Sequence, residues 1–139
     1  MLCCQIRMKK FNDMAIHKFS MINTVERPYL KWLRDGIKTA EGRVNTEKYQ
    51  KIAIKDEVVF NDIKSDDFIR GVVIFKRKYT TFEEMLKSEG VKNMLPFLND
   101  SDLIKGIQVY QNFPGSKRVK RFGCVAIGID VTESRLMNS

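Results

Sequence analysis

Histidine occurs once in the 139 residues, at His17, and cysteine three times, at Cys3, Cys4 and Cys124. The cysteine count is odd, Cys3 and Cys4 are adjacent, and no C-x-x-C spacing occurs. Neither a disulfide framework nor a zinc site is expected, and no cofactor is read. Cys124 reads as a small apolar residue inside a strand. No apolar run reaches the roughly 18 residues that a membrane-crossing helix needs. The amino-terminal stretch turns basic at Arg7 without a long apolar core, so no secretory signal is read. A cytoplasmic or nuclear location is the expectation. Internal repeats and low-complexity tracts are missing as well.

What remains is a chain of ordinary hydrophobic content, 43%, and a length that suits one domain. The spacing suggests a basic, loosely ordered arm over residues 1–20, a domain over 21–131 and a polar tail over 132–139. Lysine and arginine total 25 against 17 acidic residues, a net charge of +8. Such a balance favours polyanionic partners, nucleic acid above all.

Met21–Val25 reads as a first strand. Pro28 can open a helix, Tyr29, Trp32 and Leu33 share its apolar face, and Gly36 can end it in a left-handed conformation. Val58–Phe60 and Ile69–Tyr79, joined by a polar turn, predict a hairpin. Thr81 and Glu84 form a capping box ahead of Phe82, Met85 and Leu86, with Gly90 as the stop. Ser101 is the expected cap of a further helix, with Leu103, Ile107 and Tyr110 on one face. Phe122–Val131 is a long last strand. Strands and helices do not alternate regularly, which argues against a doubly wound sheet. The expectation is a mainly β, α+β chain: a small mixed barrel of about five to six strands with two to three peripheral helices.

Two stretches carry charge in a pattern that points to binding. In Gly36-Ile37-Lys38-Thr39-Ala40-Glu41-Gly42-Arg43, two cations and one carboxylate follow a helix stop. They can line a pocket for a nucleotide-like ligand, with Lys38 or Arg43 meeting a phosphate or a base edge. They can equally form a buried, mutually satisfied ion cluster that only seats the helix. The second stretch is Lys117-Arg118-Val119-Lys120-Arg121, the densest basic run. As a loop feeding the last strand it could follow a phosphate backbone, with Tyr110 and Phe113 near enough to stack on bases.

Taken in order, these pieces resemble the ASCH domain, the activating-signal-cointegrator homology family of the PUA-like superfamily, over roughly residues 21–131. The family pattern G-x-K-x-x-E-x-R is met by Gly36, Lys38, Glu41 and Arg43. Phe60-Asn61-Asp62, the segment Tyr79–Leu86 and the segment Arg121–Ile127 are also similar to the family. Lys55-Asp56 stands where the family usually has a Gly-Asp turn. The resemblance implies a PUA-like barrel with a cleft that holds Lys38, Glu41 and Arg43. It also implies nucleic acid as partner, RNA more than DNA, in a coregulator or RNA-processing setting. Some relatives are enzymes, including ribonuclease-like proteins and an amidohydrolase acting on acetylcytidine through a lysine, a threonine and a glutamate. There the lysine falls on Lys38, the threonine on Glu41 and the glutamate near Asp102. The hydroxyl is thus missing at the matching position, and Thr39 should point to the opposite side of an extended chain. The enzymatic alternative centres on Lys38, with Tyr110 or Asp102 assisting. A third alternative is a protein-interaction module using the apolar segment Met94–Leu98.

Overall fold

The computed structural model describes residues 15–137. Five strands form one mixed sheet in the order β1-β3-β4-β5-β2. They are β1 (Ile16–Met21), β2 (Glu41–Val44), β3 (Glu57–Asp62), β4 (Phe68–Tyr79) and β5 (Cys124–Arg135). β1 runs parallel to β3, Ile16 opposite Glu57 and Met21 opposite Asp62. The other pairings are antiparallel. β4 and β5 are the spine, paired from Phe68–Arg135 to Tyr79–Cys124, with register shifts at Arg70/Gly71 and Val73/Phe75. Such bulges add twist and bend the bulged strand. The sheet is strongly curled and not closed into a barrel, so β1 and β2 remain its two edges.

The helices are α1 (Tyr29–Arg34), α2 (Glu47–Gln50), α3 (Phe82–Glu89), α4 (Val91–Met94), α5 (Leu103–Gln111) and α6 (Val119–Phe122), with a 3-10 turn at Ser116–Arg118. Six helices among the described residues exceed the two to three expected. The extra ones, α2, α4 and α6, are four residues long, too short to show a helical period. α1 and α3 pack on β4 and β5, and α3 packs on α4 and α5. The core is continuous, with Leu30, Met85, Leu86, Met94, Val58, Ile69 and Val125 all fully buried. Thr81 caps α3 as the sequence predicts, its Oγ1 accepting from the Glu84 N–H at 3.1 Å, while Glu84 Oε2 reaches back one residue beyond the cap and accepts from the Thr80 N–H at 3.1 Å. At the far end of α3, buried Glu89 takes a two-pronged hydrogen bond from Arg77 on β4, at 2.7 and 2.8 Å.

Several expectations shift. The first strand ends at Met21 instead of beginning there, because Phe19 and Met21 face the core while Ile22 and Val25 are exposed. It starts inside the stretch read as an arm; residues 1–14 of that arm, with Cys3 and Cys4, lie outside the described residues. The last strand continues to Arg135, into the stretch read as a tail. Met94 and Leu95 are buried, so the segment offered as an interaction surface is largely core. Asp102, not Ser101, occupies the N-cap position of α5. Cys124 lies buried in β5 as expected, and burial pushes its thiol up to about 12.

Candidate functional site

α1 ends in a Schellman motif. The Ile37 N–H donates to the Trp32 carbonyl at 2.9 Å and the Gly36 N–H to that of Leu33 at 3.3 Å, with Gly36 at φ +74°. Those are the two bonds the motif requires, and glycine takes the left-handed position without strain. The turn sends the chain inward. Lys38 and Ala40 are buried and Thr39 between them is exposed, so Thr39 does point away from the site. β2 follows, and its two-residue period puts Glu41 and Arg43 on one face.

The three charges meet. Lys38, 2% exposed, donates from Nζ to the Met94 carbonyl and sits 3.9 Å from Glu41 Oε1. Arg43 Nη1 lies 2.7 Å from the same Oε1 and donates to the Gly42 carbonyl at 3.0 Å. The Gly42 N–H donates to Oε1 as well, at 3.1 Å. Burial pulls the Lys38 ammonium below its ordinary range; Glu41 opposes that and Arg43 adds to it. For Arg43 burial also acts against the charge, but Glu41, joined by Tyr49, outweighs it and holds the guanidinium above its usual value. The ion cluster read from the sequence is therefore present, and both cations are engaged within it.

The cluster also lines a cavity of about 310 Å³. Both edges of the curled sheet contribute lining, Ser20 and Met21 from β1 and Glu41–Val44 from β2. Tyr29 of α1 and Tyr110 of α5 line it too, and Phe113, Pro114 and Arg118 add lining from beyond α5. Ile22 and Ile63, both more than half exposed, complete an apolar rim. The cavity thus draws lining from both of the edges that the open sheet leaves unpaired. Ligand pockets are mostly apolar with a few placed polar groups, and run from roughly 300 to 1,000 Å³; this one is at the small end.

Tyr110 is 2% exposed, stacked on Phe82 at 5.4 Å and edge-on to Phe113 at 5.4 Å. Its burial pushes the phenol well above its ordinary pKa. The Tyr110 hydroxyl is buried without a hydrogen-bond partner among the described residues, while that of Tyr29 lies near the Arg27 guanidinium, which works against the rise that burial gives its pKa. Gly42 makes room for the first: a Cβ there would stand 2.7 Å from the Tyr110 hydroxyl. Sequence reasoning took Tyr29 only as a core residue and passed over Gly42 and Tyr49. The available signal was a tyrosine on a core stripe, whose hydroxyl must find a partner.

The basic run is split. It folds into the 3-10 turn and α6 instead of a loop. Arg118 lines the cavity, while Lys120 and Arg121 flank a separate open groove beside Lys78. Lys117, Arg118, Lys120 and Arg121 are all exposed. Asp102 does not line the cavity; its carboxylate accepts from the Asn99 N–H at 2.9 Å and braces the turn before α5. Among the described residues no group of histidine, cysteine and acidic side chains could hold a metal ion, and no helix is long and apolar enough to cross a membrane.

A family model, the ASCH domain, matches residues 24–133. No curated protein matches the chain. Among solved structures, the crystal structure of hypothetical protein PH0355 is similar at 31% identity and a TM-score of 0.71, covering 84% of this chain and 99% of that one. The solution NMR structure of protein PF0455 from Pyrococcus furiosus is similar at 31% identity and a TM-score of 0.66, covering 85% of this chain and 98% of that one. The chain belongs to the ASCH domain family.

Proposed function

We propose that this protein binds RNA, holding one nucleotide in the cavity over Lys38, Glu41 and Arg43 and running the phosphate backbone past Lys117, Arg118, Lys120 and Arg121. The observation that carries the reading is the shared position of Arg118. It belongs to the basic run and also lines the cavity, so a chain gripped by its phosphates there would have a nucleotide at the opening. The family is generally associated with RNA binding, and the net charge of +8 agrees with a polyanionic partner.

The test is fluorescence anisotropy with labelled single-stranded RNA and DNA of one sequence. RNA is expected to bind more tightly, since a 2′-hydroxyl is what separates the two at a given site. Replacing Lys117, Arg118, Lys120 and Arg121 together by alanine should weaken RNA binding by at least about tenfold, the effect of losing several phosphate contacts. No binding, or binding unchanged by the fourfold substitution, would sink the reading.

A further inference from the structure

Which part of a nucleotide enters the cavity follows from the state of its polar groups. Both cations of the cluster are engaged: buried Lys38 by the Met94 carbonyl and Glu41, and half-buried Arg43 by Glu41 and the Gly42 carbonyl. The cavity also presents the Glu41 carboxylate, which offsets part of their charge and needs a donor from any ligand beside it. The Gly42 N–H, Lys38 and Arg43 all meet Glu41 at Oε1, and a carboxylate has acceptor capacity on two oxygens. Opposite in character are two buried tyrosine hydroxyls that line the cavity: that of Tyr110 meets no partner among the described residues, and that of Tyr29 has the Arg27 guanidinium near it and keeps its own proton to donate. A buried hydroxyl left unpaired carries a desolvation penalty, so each such group calls for a reason. Here the neighbourhood is built to keep one in place, because Gly42 omits the Cβ that would collide with the Tyr110 hydroxyl. The fitting ligand supplies an N–H to a carboxylate oxygen and supplies acceptors to hydroxyls. Its faces are apolar enough for Ile22, Ile63 and Phe113 at the rim.

Those are the properties of a nucleobase edge. We infer that the cavity takes an unstacked base, read by the Glu41 carboxylate and the Tyr29 and Tyr110 hydroxyls, and that the phosphate stays outside at Arg118. This rests on the nucleic-acid reading above and narrows it. A phosphodiester group has no donor to give the Glu41 carboxylate. Bases carry donors and acceptors on one edge, and proteins that read single strands splay them out for this purpose.

The experiment titrates the four free ribonucleosides, inorganic phosphate and acetamide, each separately, into protein with isotope-labelled tyrosine, following the rings by NMR. At least one nucleoside is expected to shift Tyr29 and Tyr110 saturably, and phosphate to leave both unmoved. Tyr110→Phe should weaken the nucleoside by about tenfold, the scale of one buried hydrogen bond, without lowering the thermal midpoint, because the hydroxyl contributes nothing to the free fold. Tyr29→Phe is the second variant if the first does not fold. The inference is overturned if no nucleoside binds, if phosphate or acetamide moves the tyrosines instead, or if the variant binds unchanged. RNA bound while nucleosides are inert removes this inference and leaves the RNA reading intact. A nucleoside bound without RNA affinity does the reverse.

Discussion

Lys38 sets the energetics at the residue scale. A lysine with its side chain 1% exposed survives burial only because an acceptor and an anion surround it. Glu41 is the centre of the arrangement, since it faces two cations through one oxygen. Glu41→Gln leaves Lys38 and Arg43 facing each other with no anion between them. The expected loss is about 3–5 kcal/mol, the usual result of removing one partner of a buried pair. Lys38→Met removes a buried charge and fills similar volume; Glu41 keeps Arg43, and only the Met94 carbonyl loses its partner. The expected loss is smaller, about 1–3 kcal/mol. Urea denaturation of both variants checks the ordering, and a costlier lysine substitution would count against this account of the cluster.

At the element scale the turn into β3 holds a residue in an unfavourable conformation. Lys55 has φ +80°, the one non-glycine residue with positive φ among those described. The turn is kept by the Lys55 N–H donating to the Val73 carbonyl at 2.8 Å and by the Asp56 carboxylate accepting from the Ala53 N–H at 2.9 Å. A side chain in the left-handed region costs roughly 1–2 kcal/mol, of which glycine returns part through a freer unfolded chain. Lys55→Gly is therefore expected to stabilise by about 1 kcal/mol, read as a higher denaturation midpoint at unchanged slope. The glycine of the family's Gly-Asp turn would belong at this position, and the departure noted in the sequence becomes a conformational fact. Elements with local signals were legible in the same way: the Thr81 box, the Gly36 stop, the β3–β4 hairpin and the long β5. What was not legible depended on distant partners. β1 takes its register from β3, some forty residues on. β2 carries Glu-Gly-Arg-Val, with no apolar alternation to mark a strand; only pairing with the buried Val125-Ala126-Ile127 of β5 makes it one. The charged triad of the site was visible as a motif, whereas Tyr29 and Tyr110, contributed by helices about eighty residues apart, join it only in the folded chain.

At the scale of the whole molecule, the open sheet and the positive charge act together. Closing the barrel would satisfy both edge strands and abolish the cavity; leaving it open keeps a pocket with cations on its rim. Much of the net charge is spread over exposed surface, yet four exposed cations lie within five consecutive residues, one of them, Arg118, lining the cavity. Each phosphate that a single strand gives to such a cation releases counterions, lowering the log–log slope of affinity against salt by about 0.7. Four contacts predict a slope of about −3 (4 × −0.7) from this run alone. Replacing Lys117, Arg118, Lys120 and Arg121 by alanine lowers the net charge from +8 to +4 (8 − 4). It should flatten the slope by about the same 3 units, while the affinity that remains at high salt, which the base and the apolar rim would supply, changes little. Anisotropy titrations from low to high salt on both proteins measure the two quantities together. Equal slopes would mean that the backbone follows another face of the protein.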